Sequence, residues 1–360
     1  MIVLKRLVSV FLLALSLCLL SAGCGSDDNN SLSELKVYCF QAGKADAFLF
    51  YTENSAVLID TGESGFGKTI TKKCGELGID TLDYLIVTHF DKDHVGGAKK
   101  VLEDLEVKNV LQSNYPKSSS EYSKYLSQLE AKKLTAVTVR DEMTFSLDGV
   151  KYTVNPPEKE VYDDSPSNNS SLIVVTEHEA CRMLFLGDAE DKRLSEYLEV
   201  SEGRCGLVKL PHHGRWQSSL NELAEKASPE YAVITSSDKE PEDNKTIDLL
   251  EKSSIKAYLT RINPVIITDD GKKISDEVIN DPNQEHFIDM LLGRNTLGKT
   301  TDPEDANVKK AENGYAFDVS STIDELKKDV LFRPPEVDDC VEDISGDPSD
   351  YPCGNLLGQW

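Results

Sequence analysis

The densest set of reactive side chains in this sequence is Thr88-His89-Phe90-Asp91-Lys92-Asp93-His94-Val95-Gly96-Gly97. Two imidazoles and two carboxylates fall between His89 and His94. Such donors, with no thiolate among them, suit Zn²⁺, and a carboxylate-rich set also admits Mn²⁺. A lone His or Asp in an acidic chain is an ordinary solvated-loop residue. An ordered set of four, after an apolar run and before Gly-Gly, reads instead as a metal-binding loop. Two later stretches also bring reactive groups to the end of an apolar run. Arg182-Met183-Leu184-Phe185-Leu186-Gly187-Asp188 ends on a carboxylate, and Gly206-Leu207-Val208-Lys209-Leu210-Pro211-His212-His213-Gly214 ends on two histidines. Adjacent side chains on an extended backbone point in different directions, so the two histidines are expected to serve different roles.

Each of these groups needs a buried strand behind it. Leu85-Ile86-Val87 reads as such a strand, and Gly96-Gly97 as a sharp backbone turn into a helix over Ala98–Leu105. Upstream, Leu35–Phe40 and Ala47–Tyr51 read as hairpin strands, Ser55–Ile59 as a third strand ending in Asp60-Thr61-Gly62, and Thr69–Leu77 as a helix stopped by Gly78. Downstream, the pattern predicts a strand at Val107–Leu111, a helix at Ser120–Lys133, and short strands at Ala136–Val139, Met143–Leu147 and Lys151–Asn155. Asp148-Gly149 is a hairpin-turn signal between the last two. A polar loop, Ser167–Ser171, leads into a buried strand and then a hairpin at Thr176–Glu179, with His178 expected to be an exposed turn residue. Helices at Asp191–Leu198 and Thr246–Lys252, strands at Ala227–Thr235 and Ala257–Thr260, and a hairpin at Val265–Ile274 complete the succession. Helices interleaved with strands exclude a pure β-sandwich and predict an α/β sandwich of two mixed sheets flanked by helices.

The His89–Gly97 block resembles the metal-binding motif of the metallo-β-lactamase superfamily, in which a His-x-His-x-Asp-His loop feeds two metal ions. Asp91 stands where many members have the second histidine, a substitution shared with the subgroup similar to the ComEC competence-protein hydrolase domain. The resemblance runs over about residues 35–275 and implies the αββα sandwich of that superfamily. It implies that His89 and Asp91 bind one ion and Asp93 and His94 the other, with Asp188 bridging them and His212, or alternatively His213, completing the set. A carboxylate has two oxygens and can hold two cations about 3.5–4 Å apart. Asp93, His212 and His213 are the catalytic candidates, with one of the two histidines expected to act on the leaving group. Asp60, in its Asp-Thr-Gly, is expected to support the metal loop without binding metal. The same triplet occurs in aspartic proteases, but those need two such lobes and this chain has one.

Several segments depart from the subgroup pattern. Gln41–Ala47 is a loosened form of its Gly-Gln-Gly-Asp-Ala turn, and Asp46 reads equally as a support for the metal loop or as a turn aspartate. Ser167-Asn168-Asn169-Ser170-Ser171 is similar to the segment before the bridging aspartate but lacks the histidine that other members place there, which implies a ligand-poor first site completed by water. Asn168 and Asn169 read equally as loop residues and as site residues. Pro211–Gly214 and Ser218-Ser219 match the subgroup, whereas Arg215-Trp216 replaces its usual serine and alters the pocket rim. Many members carry a Gly-His-Pro turn after the strand that here ends at Thr235. This chain reads Ser236–Asn244 without histidine, so either a carboxylate such as Asp238 or Asp243 substitutes or the second site is incomplete.

The termini bound where such a protein works. Lys5 and Arg6 precede an apolar run, Leu7–Leu20, of signal-peptide length, and Leu20-Ser21-Ala22-Gly23-Cys24 resembles a bacterial lipoprotein cleavage box. The resulting division is a signal over 1–24, a tether over 25–34, the metal-binding domain over 35–275 and an acidic extension over 276–360. The expectation is an exported protein held at the outer face of the cell membrane by a lipid on Cys24. For such a protein the even set Cys39, Cys74, Cys181, Cys205, Cys340 and Cys353 points to disulfides, with buried free thiols as the alternative. The extension carries one expected helix, Glu277–Leu292, an extended stretch at Pro334–Asp339 and no motif for chemistry. A net charge of −24 argues against a surface built for non-specific grip on DNA or anionic lipid, yet bound divalent ions would dominate the field at a local phosphodiester site.

The resemblance therefore implies a hydrolase with two divalent ions, Zn²⁺ first and Mn²⁺ second, that uses a metal-bridging hydroxide against a phosphodiester outside the cytoplasm. The substrate would be nucleic acid or a cell-envelope phosphodiester, and a DNA-uptake role would require a membrane-channel partner. The missing histidines motivate the opposing reading, a surface lipoprotein that keeps the scaffold without catalysis and binds a ligand or partner.

Overall fold

The apolar runs form strands that are buried on both faces. In β1 (Leu35–Cys39) the side chains of Leu35, Val37 and Cys39 enter one core and Tyr38 another, and β2 (Phe48–Tyr51) and β3 (Ala56–Ile59) alternate in the same way. That period of two with apolar residues on both sides is what a sheet covered on both faces requires. The computed structural model describes residues 33–279, all within the first of the two units into which the chain divides, Met1–Asn295.

Two sheets result. The first is completed by β4 (Thr81–Val87), β5 (Glu106–Gln112), β6 (Ala136–Thr138), β14 (Val265–Asp269) and β15 (Ile274–Val278), in the order β15-β14-β1-β2-β3-β4-β5-β6. The second contains β7 (Met143–Leu147), β8 (Val150–Asn155), β9 (Ile173–His178), β10 (Cys181–Phe185), β11 (Leu207–Lys209), β12 (Tyr231–Ile234) and β13 (Lys256–Leu259), in the order β13-β12-β11-β10-β9-β8-β7. Both are mixed. Antiparallel pairing gives way to parallel pairing from β3 to β6 in the first sheet and from β10 to β13 in the second. Parallel pairs need crossover connections, and helices supply them. Helices α1 (Gly67–Glu76), α2 (Lys92–Val95), α3 (Ala98–Asp104) and α4 (Ser120–Lys132) belong to the first half, and α5 (Asp191–Val200), α6 (Leu220–Lys226) and α7 (Asn244–Lys252) to the second.

Three cores hold the layers together. Between the sheets, Phe185 meets Phe48 and Phe50 edge to face, with ring centroids 5.2 and 4.8 Å apart. Outside the first sheet, Ile70 and Cys74 of α1, Val101 and Leu102 of α3, and Tyr125 and Leu129 of α4 pack on Leu49, Leu58, Leu85 and Val87. Outside the second, Leu194 and Leu198 of α5, Leu220 and Leu223 of α6, and Leu250 of α7 pack on Leu184, Val208 and Ile234. Helix, sheet, sheet, helix is the expected αββα sandwich.

Several local expectations change. Gly96 and Gly97 have ordinary helical dihedrals, with φ of −59° and −83°, so turning is not what they supply. They allow close approach: a Cβ on Gly97 would lie 2.2 Å from the Thr61 carbonyl oxygen, and one on Gly96 2.5 Å from the Ser64 nitrogen. His178 is fully buried rather than exposed, and its Nδ1 lies 3.2 Å from Asp269 Oδ1 of the facing sheet. The hairpin turn falls one residue later, where Glu179 takes a φ of +51°. Cys39, Cys74, Cys181 and Cys205 are buried free thiols, so the disulfide expectation is corrected for these four. Burial pushes Cys74 up to about 11 and Cys205 up to about 12, which keeps both as inert thiols. Glu277 and Val278 continue β15 instead of starting a helix, and carry the sheet past residue 275. The rest of that expected helix, the signal segment, most of the tether, Cys340 and Cys353 lie outside the described residues.

Phe185→Ala removes the ring that joins the two sheets. It should lower unfolding free energy by about 3–5 kcal/mol, read as a shift in the urea midpoint at unchanged m-value.

Candidate metal centre

The parallel halves of the two sheets aim the C-terminal ends of their strands at one place. Asp60 follows β3, Thr88 and His89 follow β4, Gly187 and Asp188 follow β10, His212 and His213 follow β11, and Thr235 follows β12. Asp93 and His94 come from the single turn of α2, directly after the β4 end.

Asp60 organises the first half of the site. Its carboxylate accepts from Thr88 N (2.8 Å), from Thr88 Oγ1 (2.6 Å) and from His94 Nδ1 (2.7 Å), all of them buried. A carboxylate only accepts, so the network assigns the His94 proton to Nδ1 and leaves Nε2 facing the centre. The single Thr88 hydroxyl proton is spent on Asp60. Its oxygen, 3.2 Å from His89 Nδ1, therefore accepts there and turns His89 Nε2 the same way. This matches the supporting role expected for Asp60.

Asp46 organises the second half, which settles its two open readings in favour of support. Thr235 Oγ1 donates to Asp46 Oδ1 at 2.6 Å and lies 3.0 Å from His213 Nδ1. The threonine must accept from that nitrogen, so His213 also presents a free Nε2. Lys209, only 1% exposed, pairs with Asp46 Oδ2 and donates to the Gly187 carbonyl at 2.8 Å. Asp188 N donates to Ser171 Oγ at 3.1 Å. His212 and His213 are held with φ of +47° and +55°, left-handed values that non-glycine residues adopt at a cost of about 1–3 kcal/mol each. Strain of that size on adjacent residues marks a turn that the surroundings enforce.

The result is a compact donor set. One donor atom from each of Asp93, His94, Asp188 and His213 lies within 4.8 Å of the others. His94 Nε2 is 3.3 Å from Asp188 Oδ1, and His213 Nε2 is 3.2 Å from Asp188 Oδ2 and 3.5 Å from Asp93 Oδ2. His89 Nε2, His94 Nε2, His213 Nε2 and Asp188 Oδ1 are buried without a hydrogen-bond partner among the described residues. Buried polar atoms are rarely left so, and three of these, on His94, His213 and Asp188, belong to the one cluster, which fits a divalent cation. The charges agree. Burial opposes ionisation of Asp188, yet His213 and His94 hold it well below the usual carboxylate range. Burial likewise opposes charge on His94, yet Asp188 and Asp60 raise it well above an ordinary imidazole. The cluster is short of positive charge.

Some expected site residues fall elsewhere. His213, not His212, joins the cluster. The metal-ligand expectation for His212 is corrected on that geometry, since its Nδ1 faces Glu190 Oε1 at 3.3 Å and its ring is half-buried at the edge. His89 and Asp91 are adjacent but separate from the four: His89 Nε2 is 4.0 Å from Asp91 Oδ1, and burial with the neighbouring His94 pushes His89 down to about 3. Neither Asp238 nor Asp243 reaches the centre. Asp238 is exposed and 3.3 Å from Arg261, and Asp243 accepts from Trp216 N at 2.7 Å. Asn168 and Asn169 hold loops, through Glu190 and through the start of α5 respectively. Ser218 and Ser219 bind Asp191 at the α5–α6 junction rather than the centre.

The sequence reading missed Lys209, Thr235 and Arg193. Arg193 looks like a surface charge on a helix, but it is buried and donates to Ser171 O (3.1 Å) and Asn155 Oδ1 (2.7 Å), which fixes the loop beside Asp188. A lysine amid Gly206-Leu207-Val208-Lys209-Leu210 was the available signal for a buried ammonium.

Residues 41–236 match the sequence profile of the metallo-beta-lactamase superfamily, which is more than half of the chain. The chain belongs to that superfamily. A stretch of 193 residues is 27% identical to ComE operon protein 3 of Bacillus subtilis, covering 52% of this chain and 25% of that protein. Competence protein ComA of Neisseria gonorrhoeae is 27% identical over 208 residues, with 57% and 27% covered. The chain thus spans about a quarter of the length of these curated relatives. Among solved structures, the metallo-beta-lactamase fold protein YhfI of Bacillus subtilis is similar at 10% identity and a TM-score of 0.42, covering 62% of this chain and 96% of its own. The fold of this superfamily and the ComEC-like resemblance both stand on the motif region, where the Asp/His cluster lies. Among the described residues no helix is long and apolar enough to cross a membrane.

Lys209→Met strands the buried Asp46 carboxylate without its counter-charge. Unfolding free energy at neutral pH should fall by about 3–5 kcal/mol in denaturant titration, more than a surface lysine substitution would cause.

Proposed function

We propose that this protein is a metal-dependent phosphodiester hydrolase that works outside the cytoplasm. The observation that carries the reading is the convergence of unpartnered His94, His213 and Asp188 atoms with Asp93 in one buried cluster. Asp93, His94, Asp188 and His213 would hold one divalent ion, and His89 with Asp91 would form the adjacent position. Zn²⁺ suits the imidazoles and Mn²⁺ the carboxylates. When bound, such ions supply Lewis acidity toward a phosphoryl oxygen and a water made nucleophilic near neutral pH.

The chain's own groups divide the remaining work. Asp60 and the Thr235–Asp46 pair hold His94 and His213 in the tautomers that face the centre. His212 sits at the edge with Glu190 Oε1 3.3 Å from its Nδ1; burial lowers its proton affinity against the pull of Asp188 and Glu190, and from that edge it would deliver a proton to the leaving oxygen. Lys44 and Arg215, two residues from Asp46 and His213 in the sequence, both face Glu240 Oε1, at 3.5 and 3.6 Å, so two cations share one carboxylate there. The Neisseria gonorrhoeae relative is named for competence and a Haemophilus influenzae relative for recombination, which supports nucleic acid over a cell-envelope phosphodiester. Action outside the cytoplasm rests on the Met1–Cys24 signal pattern, and anchoring rests on a lipid at Cys24.

Elemental analysis of the purified full chain should find bound divalent metal, together with hydrolysis of bis-p-nitrophenyl phosphate. Asp188→Ala should lose both. Absence of metal and turnover after supplementation with Zn²⁺ and Mn²⁺ would instead favour a scaffold that only binds. His212→Ala should retain its metal while turnover falls by roughly 10²–10⁴-fold on a dinucleotide. The loss should be smaller on the nitrophenyl ester, whose leaving group needs little protonation.

A further inference from the structure

Asp91 is already in use. Its Oδ1 pairs with the Lys117 ammonium and accepts from Ser167 Oγ, and it is the same oxygen that lies 4.0 Å from the free Nε2 of His89. A cation that used that oxygen would have to take it from an ammonium and a hydroxyl, and one that used Oδ2 would still share the carboxylate with the Lys117 ammonium. Two hydroxyls of the loop that could have contributed a third ligand are already engaged: Ser170 Oγ donates to the Pro166 carbonyl, and Ser171 Oγ accepts from Asp188 N. By contrast, Asp93, His94, Asp188 and His213 converge with Lys209 Nζ no nearer than 3.7 Å, at Asp188 Oδ1, and that ammonium is paired with Asp46 rather than with the cluster.

Lys117 comes from the segment between β5 and α4, and its side chain is 35% exposed, so it reaches Asp91 from the solvent side. Ser167, from the loop before β9, approaches the same oxygen from the other sheet's half of the chain. The pair is thus a built contact between two loops and not a chance surface pairing. It also agrees with the Asp91 carboxyl lying below its usual range, where burial is outweighed by His89, Lys117 and Ser167.

We propose that Lys117 is a resident cation at the His89–Asp91 position, which limits tight metal binding to one ion at Asp93, His94, Asp188 and His213 and places an ammonium where it can meet a substrate phosphoryl oxygen. This rests on the metalloenzyme reading above and deepens it. An ammonium is a compact point charge with three donors, suited to a phosphate oxygen once released from a carboxylate. No second divalent ion is then needed to supply positive charge on that side.

The test is Mn²⁺ binding to the full chain, purified in detergent and desalted, with the ions counted by elemental analysis and their environment read by electron paramagnetic resonance. The wild-type protein should retain one ion with the hyperfine-split spectrum of an isolated Mn²⁺. Lys117→Met should retain two with a spin-coupled spectrum, its second-ion affinity rising by about tenfold or more. Lys117→Arg, which keeps the charge, should retain one. Two tightly held, coupled ions in the wild type, or an unchanged second-ion affinity in Lys117→Met, would overturn the role of Lys117 while leaving the metalloenzyme reading intact. No retained ion in any of the three proteins would overturn both.

Discussion

The buried carboxylate of Asp46 ties the halves of this molecule together at the point where they matter. It sits on the β1–β2 connection of the first sheet, yet its partners, Lys209 and Thr235, belong to the ends of strands of the second. Hydrophobic burial between the sheets is non-directional and would tolerate sliding. A buried ion pair with a threonine hydrogen bond does not, because any slip leaves a charge unpaired in a low-dielectric interior. The clamp therefore converts a greasy interface into a fixed register. It fixes the register beneath the residues that must meet from opposite sheets, Asp93 and His94 on one side and Asp188 and His213 on the other.

Parallel pairing does the rest of the positioning. Strands that run the same way end on the same edge, so β3, β4, β10, β11 and β12 deliver their last residues to one side. Each of these strand ends soon gives way to a polar residue or a glycine. The close approach at Gly97 lets the Thr61 and His94 backbones meet: Thr61 N and Oγ1 both donate to the His94 carbonyl at 2.7 Å. His94 is thereby held from its backbone and from its ring at once.

The fold and the cluster were legible in the sequence to different depths. Apolar runs ending in His or Asp located β4, β10 and β11 and the residues after them, because strand burial and reactive side chains leave separate marks in composition. The role of Asp60 was readable only through resemblance. Lys209 and Thr235 were visible as residues but not as partners, since what defines them is Asp46, more than 160 positions earlier in the chain. His178 was misread for the same reason: its Asp269 partner lies 91 residues away. The four thiols escaped because cysteine count reports a compartment, whereas burial is decided by tertiary packing. The choice between His212 and His213 depended on two consecutive left-handed residues, which no alternation rule anticipates.

Charge balance explains why such a site needs a cation at all. Asp46, Asp60, Asp93 and Asp188 are brought together at 14% side-chain exposure or less, with Lys209 as the one fixed ammonium among them. The imbalance appears in the imidazoles: His94 and His213 are both raised against the burial that should lower them, Asp188 being the chief cause in each case. Protons on two histidines can fill the deficit, but they occupy the nitrogens that Asp60 and Thr235 have turned inward. A divalent ion fills the same deficit and takes those nitrogens as ligands, which is why the supporting hydrogen bonds and the charge point to the same occupant. On the His89–Asp91 side the balance is different. There Lys117 has already neutralised the carboxylate, and the electrostatic demand that draws a cation to the four-residue cluster is met by the chain itself.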